Sequence, residues 1–208
     1  MKKMIYVLVI LLLSLTIFSC AKKSDTSSSS TSNTEIEGTW QTPCHSQSSN
    51  WPGSSGYYKL NKLTVSGTNW TDTTEYHTDS SCATDYTKWS TTFGSLSIGN
   101  ELTFPSYGSS GGSGHDFTLT LSEYTYTVQN SSLVSSNNTN SYCGITDWVL
   151  NTAHDVAGKT CGGSTLQSIG TAYYGIYILD GSKLFWTLSS DAYNDSVPTG
   201  DNDTFTKQ

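Results

Sequence analysis

Apolar residues form one continuous run near the N-terminus and then short alternating stretches over the rest of the chain. The run extends from Met4 to Phe18 and follows Lys2 and Lys3. A basic start and about 15 apolar residues are typical of a secretory signal peptide. The run is shorter than the roughly 20 residues that a membrane-spanning helix needs. We therefore interpret residues 1–19 as a signal peptide that is removed on export.

The end of this run, Phe18-Ser19-Cys20-Ala21, resembles the lipobox of bacterial lipoproteins, although Phe18 departs from the usual small or β-branched residue. The resemblance implies a lipid on Cys20, and ordinary cleavage after Ala21 is the alternative. Residues 20–34 have almost no apolar side chains to offset the entropy of ordering, so they are predicted to be a disordered tether. Two or more acyl chains make such anchoring stable. The expected location is the bacterial cell envelope, and Ala21 favours the outer membrane by analogy.

Beyond residue 35, apolar and polar residues alternate with a period of two, which predicts β-strands. The alternation over 116–129 slips by one at Ser122-Glu123, which requires a bulge or a tight turn. Turns are expected at Gly67-Thr68, Gly99-Asn100 and Asp180-Gly181. The strands are predicted at 36–42, 57–66, 69–78, 86–98, 101–104, 116–129, 173–179, 184–188 and 204–206, with another through Trp148 and Leu150.

No long stretch has the period of 3.6 that would predict a helix, and residues 105–115 and 130–141 read as polar loops. About eight to ten short strands joined by turns predict one all-β domain over residues 35–208. A sheet of that size avoids open edges most simply by closing on itself. The predicted fold is therefore an antiparallel up-and-down barrel.

Charge narrows the classes of partner. The formal net charge is −7 with no Arg in the chain, and it falls by two more charges when Lys2 and Lys3 leave with the signal peptide. A protein this acidic, without guanidinium groups, is a poor binder of nucleic acid. The membrane is therefore expected as a partner through the lipid on Cys20, and nucleic acid is not.

Five cysteines occur, and a lipid on Cys20 leaves an even number in the domain. An even number in an exported chain predicts disulfides. The favoured pairs are Cys44–Cys82 and Cys143–Cys161, which remain local in sequence. Structural zinc on the four thiolates is the alternative, but the chain lacks a CxxC pair.

Motifs for catalysis and for metals are weak. The chain has no G-x-S-x-G sequence, and His77 with Asp79 is the nearest approach to a metal pair. The acids Asp191, Asp195, Asp201 and Asp203 suit Ca²⁺ chemically but lack the spacing of a calcium loop. No catalytic residue, metal site or cofactor is therefore predicted. An enzyme would need a chance convergence of Ser, His and Asp.

Several elements along the chain resemble the adenomatosis-polyposis-coli-down-regulated family, whose members carry lipocalin-like barrels. Gly38-Thr39-Trp40 also resembles the G-x-W of lipocalins, which implies that Trp40 plugs the closed end of the barrel. The arginine-rich segment of the family is absent, and Val197 replaces its Arg. The matching elements are Gly38, Trp40 and Cys44, then Asp79 and Cys82, then Cys143-Gly144, Trp148, Asp155-Val156 and Cys161, then Tyr173–Tyr177, Leu184-Phe185 and Pro198-Thr199.

The resemblance implies a lipocalin-like barrel that binds an apolar ligand, and the aromatic residues provide a lining for one. An eight-stranded barrel either fills with side chains or holds one small ligand. The leading hypothesis is a lipid-anchored protein that binds a small apolar or amphipathic ligand, and the alternative is an interaction protein with a filled barrel. The candidate pocket residues are Trp70, Tyr86, Trp89, Phe93, Tyr124, Tyr126, Trp148, Tyr177 and Trp186.

Overall fold

Alternating residues build a series of antiparallel strands, which the computed structural model describes over residues 34–47, 56–104, 112–190 and 204–208. The predicted signal peptide, Cys20 and nearly all of the tether lie outside these residues, as do the acids at 191–203. The strands are β1 (Gly38–Gln41), β2 (His45–Ser46), β3 (Tyr58–Ser66), β4 (Asn69–His77), β5 (Asp85–Phe104), β6 (Gly112–Val128), β7 (Ala153–Asp155), β8 (Thr160–Cys161), β9 (Ser164–Thr165), β10 (Ala172–Asp180), β11 (Lys183–Ser189) and β12 (Phe205–Lys207). Within these described residues, one helix, α1, spans Ser131–Thr139, and a 3-10 turn spans Tyr142–Gly144.

Eight of these strands close into a barrel, which confirms the predicted fold class. The order around the ring is β1-β12-β11-β10-β6-β5-β4-β3, and β3 pairs with β1 to complete it. Strand β2 pairs with the start of β3, beyond the part of β3 that pairs with β1, and β7 pairs with the end of β6. The described residues include no helix that is long and apolar enough to cross a membrane.

The two predicted hairpins are confirmed, and both use glycine where the backbone turns. Gly67 links β3 to β4 at a φ of 58°, and Gly181 follows β10 at a φ of 60°. Glycine adopts these positive angles without the steric cost that a Cβ would bring. The second turn lies one residue later than expected, because Asp180 still pairs with Lys183.

The long hairpin of β5 and β6 contains the predicted slip in alternation. Thr92 pairs with Glu123 and Phe93 pairs with Leu121, so Ser122 is the extra residue of a bulge. The predicted turn at Gly99-Asn100 is wrong. Strand β5 continues through it, with the third irregularity of its pairing with β6, and reaches Phe104, because β6 remains alongside to supply hydrogen bonds.

The segment 130–171, which we call the cap segment, differs most from the secondary structure predicted from the sequence. Residues 131–139 form a helix and not a loop, and the Asn130 side chain caps it by accepting from the N–H groups of Ser132 and Leu133. Asn137 is its one fully buried residue, so no apolar stripe marks the helix in the sequence. The strand expected through Trp148 is also wrong, because this stretch pairs with the barrel only over Ala153–Asp155.

Both predicted disulfides are formed. The Cys44–Cys82 bond joins the chain before β3 to the connection between β4 and β5, and the Cys143–Cys161 bond closes the cap segment on itself. The hydrophobic core has two main parts. One fills part of the barrel interior, and the other lies between the cap segment and the ends of β5 and β6.

Candidate functional site: a two-lobed cavity under the cap segment

The barrel has two different ends. At one end, which we call the hairpin end, lie the turns at Gly67 and Gly181. At the other, which we call the cap end, β4 connects to β5 and the cap segment leaves β6 and returns to β10. The cross-strand register places inward-facing residues in rows, and because the strands of a barrel are tilted, each row changes height as it passes around the barrel.

The half of the interior nearer the hairpin end is filled. Trp70 is fully buried, its ring stacks on that of Phe117 with centroids 4.9 Å apart, and the edge of Trp186 meets it at 5.3 Å. Trp40 is also buried, and its indole N–H donates to the carbonyl of Ile36 at 2.8 Å. Side chains therefore occupy this half as in an ordinary protein core.

One row towards the cap end, the composition of the interior changes. Strand β4 presents Asp72, Thr74 and Tyr76 on the face that carries Trp70. Asp72 pairs with Leu63 of β3 on one side and with Thr91 of β5 on the other. A carboxylate, hydroxyl groups and Tyr and Trp rings thus replace the close-packed apolar residues of the filled half.

Two adjacent lobes of a cavity occupy this polar and aromatic half. The larger has a volume of about 350 Å³ and the smaller about 250 Å³, and the Asp72 and Thr74 side chains line both. The larger lobe is also lined by Lys59, Asn61, Tyr173, Trp186, Thr187, Leu188 and Phe205. The smaller lobe is also lined by Tyr76, Trp89, Thr91, Tyr124, Tyr142, Cys161, Gly162, Ser164 and Leu166.

The cap segment builds one wall of the smaller lobe. Tyr142 of the 3-10 turn, Cys161 and Leu166 face the strand residues Trp89 and Tyr124 across it. The disulfide joins Cys161 to Cys143, which follows Tyr142 in the 3-10 turn. It therefore holds Cys161 beside Tyr142. On the strand side of the lobe, the ring of Trp89 stacks on that of Tyr126 with centroids 4.3 Å apart, and Tyr126 contacts Trp148.

Electrostatic interactions identify which groups face the same space. Burial, which is the largest cause, and the nearby Tyr173, Asp72, Tyr76 and Tyr142 together raise the pKa of Tyr124 to about 12. A tyrosinate at this position would lie in a low-dielectric environment close to other oxygens. The Tyr124 hydroxyl therefore stays protonated at neutral pH and faces a cavity that contains one carboxylate.

The structure brings some of the nine predicted pocket residues together and separates the others. Trp89 and Tyr124 line the smaller lobe, and Trp186 lines the larger. Six do not line either lobe: Trp70, Phe93 and Tyr177 belong to the filled half, Tyr126 and Trp148 to the core under the cap segment, and Tyr86 stacks on Tyr57 with centroids 4.4 Å apart.

Sequence reasoning missed the polar part of the lining, namely Lys59, Asn61, Asp72 and Thr74. A usable signal was present, because a period of two carried forward from Trp70 places Asp72, Thr74 and Tyr76 on the same face. The Thr74 hydroxyl donates to the Asn61 Oδ1 at 3.1 Å, which holds these two polar residues against the wall.

His77 and Asp79, the nearest approach to a metal pair in the sequence, have different partners in the structure. The ring of His77 is buried and lies 3.3 Å from the Asp85 carboxylate, measured from Nδ1. Asp79 instead accepts from the hydroxyl of Ser81 and from the backbone of Ala83 and Thr84, and these bonds hold its pKa well below its usual range. Within the described residues, no cluster of His, Cys, Asp and Glu could hold a metal ion.

Comparison with known proteins adds no family to this geometry. No family model matches the chain, and no curated protein matches its sequence. The functional interpretation therefore depends on the cavity and on the residues that line it.

Proposed function

We propose that this protein is a lipid-anchored lipoprotein of the bacterial envelope whose barrel binds a small amphipathic molecule in the two-lobed cavity. The observation that carries the proposal is the mixed lining, in which Trp and Tyr rings alternate with Asp72, Thr74 and Asn61. Ligand sites combine aromatic walls with a few placed polar groups in volumes of about 300 Å³ or more, and the larger lobe reaches that size.

The filled half limits what the ligand is. Trp70 and Phe117 fill the barrel beyond the cavity, so a long acyl chain has no path towards the hairpin end. A compact molecule with both apolar and polar parts fits better than a fatty acid. The filled half therefore narrows the class of ligand expected from the sequence to compact amphipathic molecules.

A blocked cavity tests the proposal. Thr74→Trp places a large ring into both lobes, and Thr73→Trp is a matched control because Thr73 lies on the outer face of the same strand. The probe is a library of several hundred neutral, anionic and cationic fragments at millimolar concentration, observed by ligand-detected NMR. We expect a set of fragments that bind the unaltered domain and T73W but not T74W. The absence of any such fragment would overturn the proposal.

The lipid anchor has its own test on the full-length chain in a bacterial host. We expect the protein to partition into Triton X-114 and to carry an acylated N-terminal Cys20 by mass spectrometry. Cys20→Ala removes the acceptor thiol, so the variant is expected in the aqueous phase. A wild-type chain with a free N-terminus beginning after Ala21 would contradict anchoring and leave the ligand proposal intact.

The second candidate function, a protein-binding lipoprotein, is favoured by exposed apolar residues on the cap segment. Val149 is 55% exposed, Ile169 is 53% exposed, and Leu150 lies beside Val149. The fragment experiment separates the two candidates, because a protein-binding barrel without a ligand would bind no fragment that T74W displaces.

A further inference from the structure

The smaller lobe has an unusual balance of charge. Among the residues that the structure describes, its lining includes one carboxylate, Asp72, and no Lys or His, while four aromatic side chains contribute to its walls. These aromatic residues are Tyr76, Trp89, Tyr124 and Tyr142. The ammonium group of Lys59 lines the larger lobe, which Asp72 also lines. Charge is therefore distributed asymmetrically between the two lobes.

The rings and the carboxylate converge on one space. The rings of Trp89 and Tyr124 meet at an angle of 64° with centroids 6.0 Å apart, so they form two walls of a corner. Asp72 lies across the sheet from Thr91, and Thr91 lies across from Tyr124. The carboxylate thus borders the same corner from the neighbouring strand. Tyr142 on the cap segment lines the same lobe.

This arrangement suits a cation better than a neutral or anionic group. The face of an aromatic ring is negative, so rings attract an alkylated ammonium group, most strongly Trp and most strongly where water is excluded. A carboxylate beside the rings adds attraction for the same charge and repels anions. The acidic net charge of the chain also favours the approach of cations.

We propose that the ligand is a small organic cation whose alkylated ammonium group lies in the smaller lobe, between Trp89, Tyr124, Tyr142 and Asp72. The rest of the molecule then extends past Asp72 and Thr74 into the larger lobe, where Trp186 and Leu188 supply apolar contacts. This inference rests on the proposed function, because it names the chemical class of the ligand for the same cavity.

The test compares choline with 3,3-dimethyl-1-butanol, which has the same shape with carbon in place of the charged nitrogen. Both are titrated into the isotope-labelled domain and followed by two-dimensional NMR of its amide and indole N–H groups. We expect choline to bind at least ten-fold more tightly and to shift the Trp89 indole resonance. Equal affinities, or a shift confined to residues outside the cavity, would overturn the inference.

Charge-removing variants identify the source of the preference. Asp72→Asn is expected to reduce the preference for choline to three-fold or less. Glu123→Gln, which removes an exposed acid on the outer face of β6, is expected to leave it unchanged. If D72N does not fold, Tyr142→Leu replaces it. That variant keeps apolar volume but removes one ring, and it should weaken choline at least three-fold without weakening the neutral analogue.

The two proposals fail in different ways. Fragments that bind in the cavity without any preference for cations would overturn the inference about ligand class and leave the proposed function standing. The absence of any fragment displaced by T74W would overturn both proposals.

Discussion

The two halves of the barrel interior share the same strands and differ in what their side chains do. On β4, Trp70 stacks in a closed core, whereas Asp72, only two residues later, borders a cavity. The hydrogen-bonded ladder continues unchanged through both positions. The difference shows that backbone pairing forms the barrel, while the inward-facing side chains decide which part of its interior is filled and which part contains a cavity.

The cap segment sharpens this contrast. The hairpin half is closed by a core in which residues of the strands, among them Trp40, Trp70 and Phe117, pack with Ile36, which precedes β1. The cap half needs an additional wall, which Tyr142 and Cys161 provide from outside the barrel. Stability is therefore expected to concentrate in the filled half, and ligand binding in the half under the cap segment.

The largest expected effect comes from removing a ring in the filled half. Trp70→Ala is expected to lower the free energy of unfolding by about 3–5 kcal/mol, because it leaves a closed void among side chains that cannot collapse. Trp89→Ala, which removes a half-buried ring beside an existing cavity, is expected to cost about 2 kcal/mol or less. Urea unfolding followed by far-UV circular dichroism measures both. Equal losses would contradict the division into a filled and a hollow half.

A smaller effect is expected from opening the cap disulfide. Replacing Cys143 and Cys161 with Ala is expected to cost about 3 kcal/mol on the loop-entropy model. It should also weaken fragment binding, since Cys161 lines the smaller lobe. Replacing Cys44 and Cys82 with Ala costs about 4 kcal/mol on the same model. That pair lines neither lobe, so fragments should still bind while the domain is folded, and loss of binding in this control would count against the assigned wall.

The smallest expected effect is the dependence of stability on alkaline pH. Tyr124 has a pKa of about 12 in the folded protein, against a reference value of 10.0. The folded state therefore holds a proton that the unfolded state has lost, so this contribution is complete below pH 10 and disappears as pH rises towards 12. Tyr124→Phe is expected to reduce the loss over this interval by up to about 2 kcal/mol, after allowance for partial exposure.

Urea unfolding at pH 8, 10 and 11 measures this term, and Tyr174→Phe is the control because Tyr174 is exposed. An identical decline for the wild type and Y124F would show that Tyr124 is not held in a low-dielectric environment. The smaller lobe would then be wetter than the structure indicates.

Particular residues show how far sequence reasoning reached. The slip at Ser122 was readable because a bulge changes the phase of alternation locally, and the two disulfides were readable because each joins nearby segments. The helix at Ser131–Thr139 was not readable, since it buries little more than Asn137 and therefore carries no apolar stripe. Helix α1 is instead held by the Asn130 side chain at its N-terminus and by its packing on the barrel.

The sequence by itself determined the strands, the hairpin turns and the face of the sheet on which each side chain lies, because a period of two is a local property of an extended backbone. Only the tertiary structure decided that Trp70 is a core residue and Trp89 a cavity residue. That outcome depends on the partners that the closed barrel places beside each ring. These partners come from distant positions such as Phe117, Trp186 and Tyr142, whose proximity no local pattern encodes.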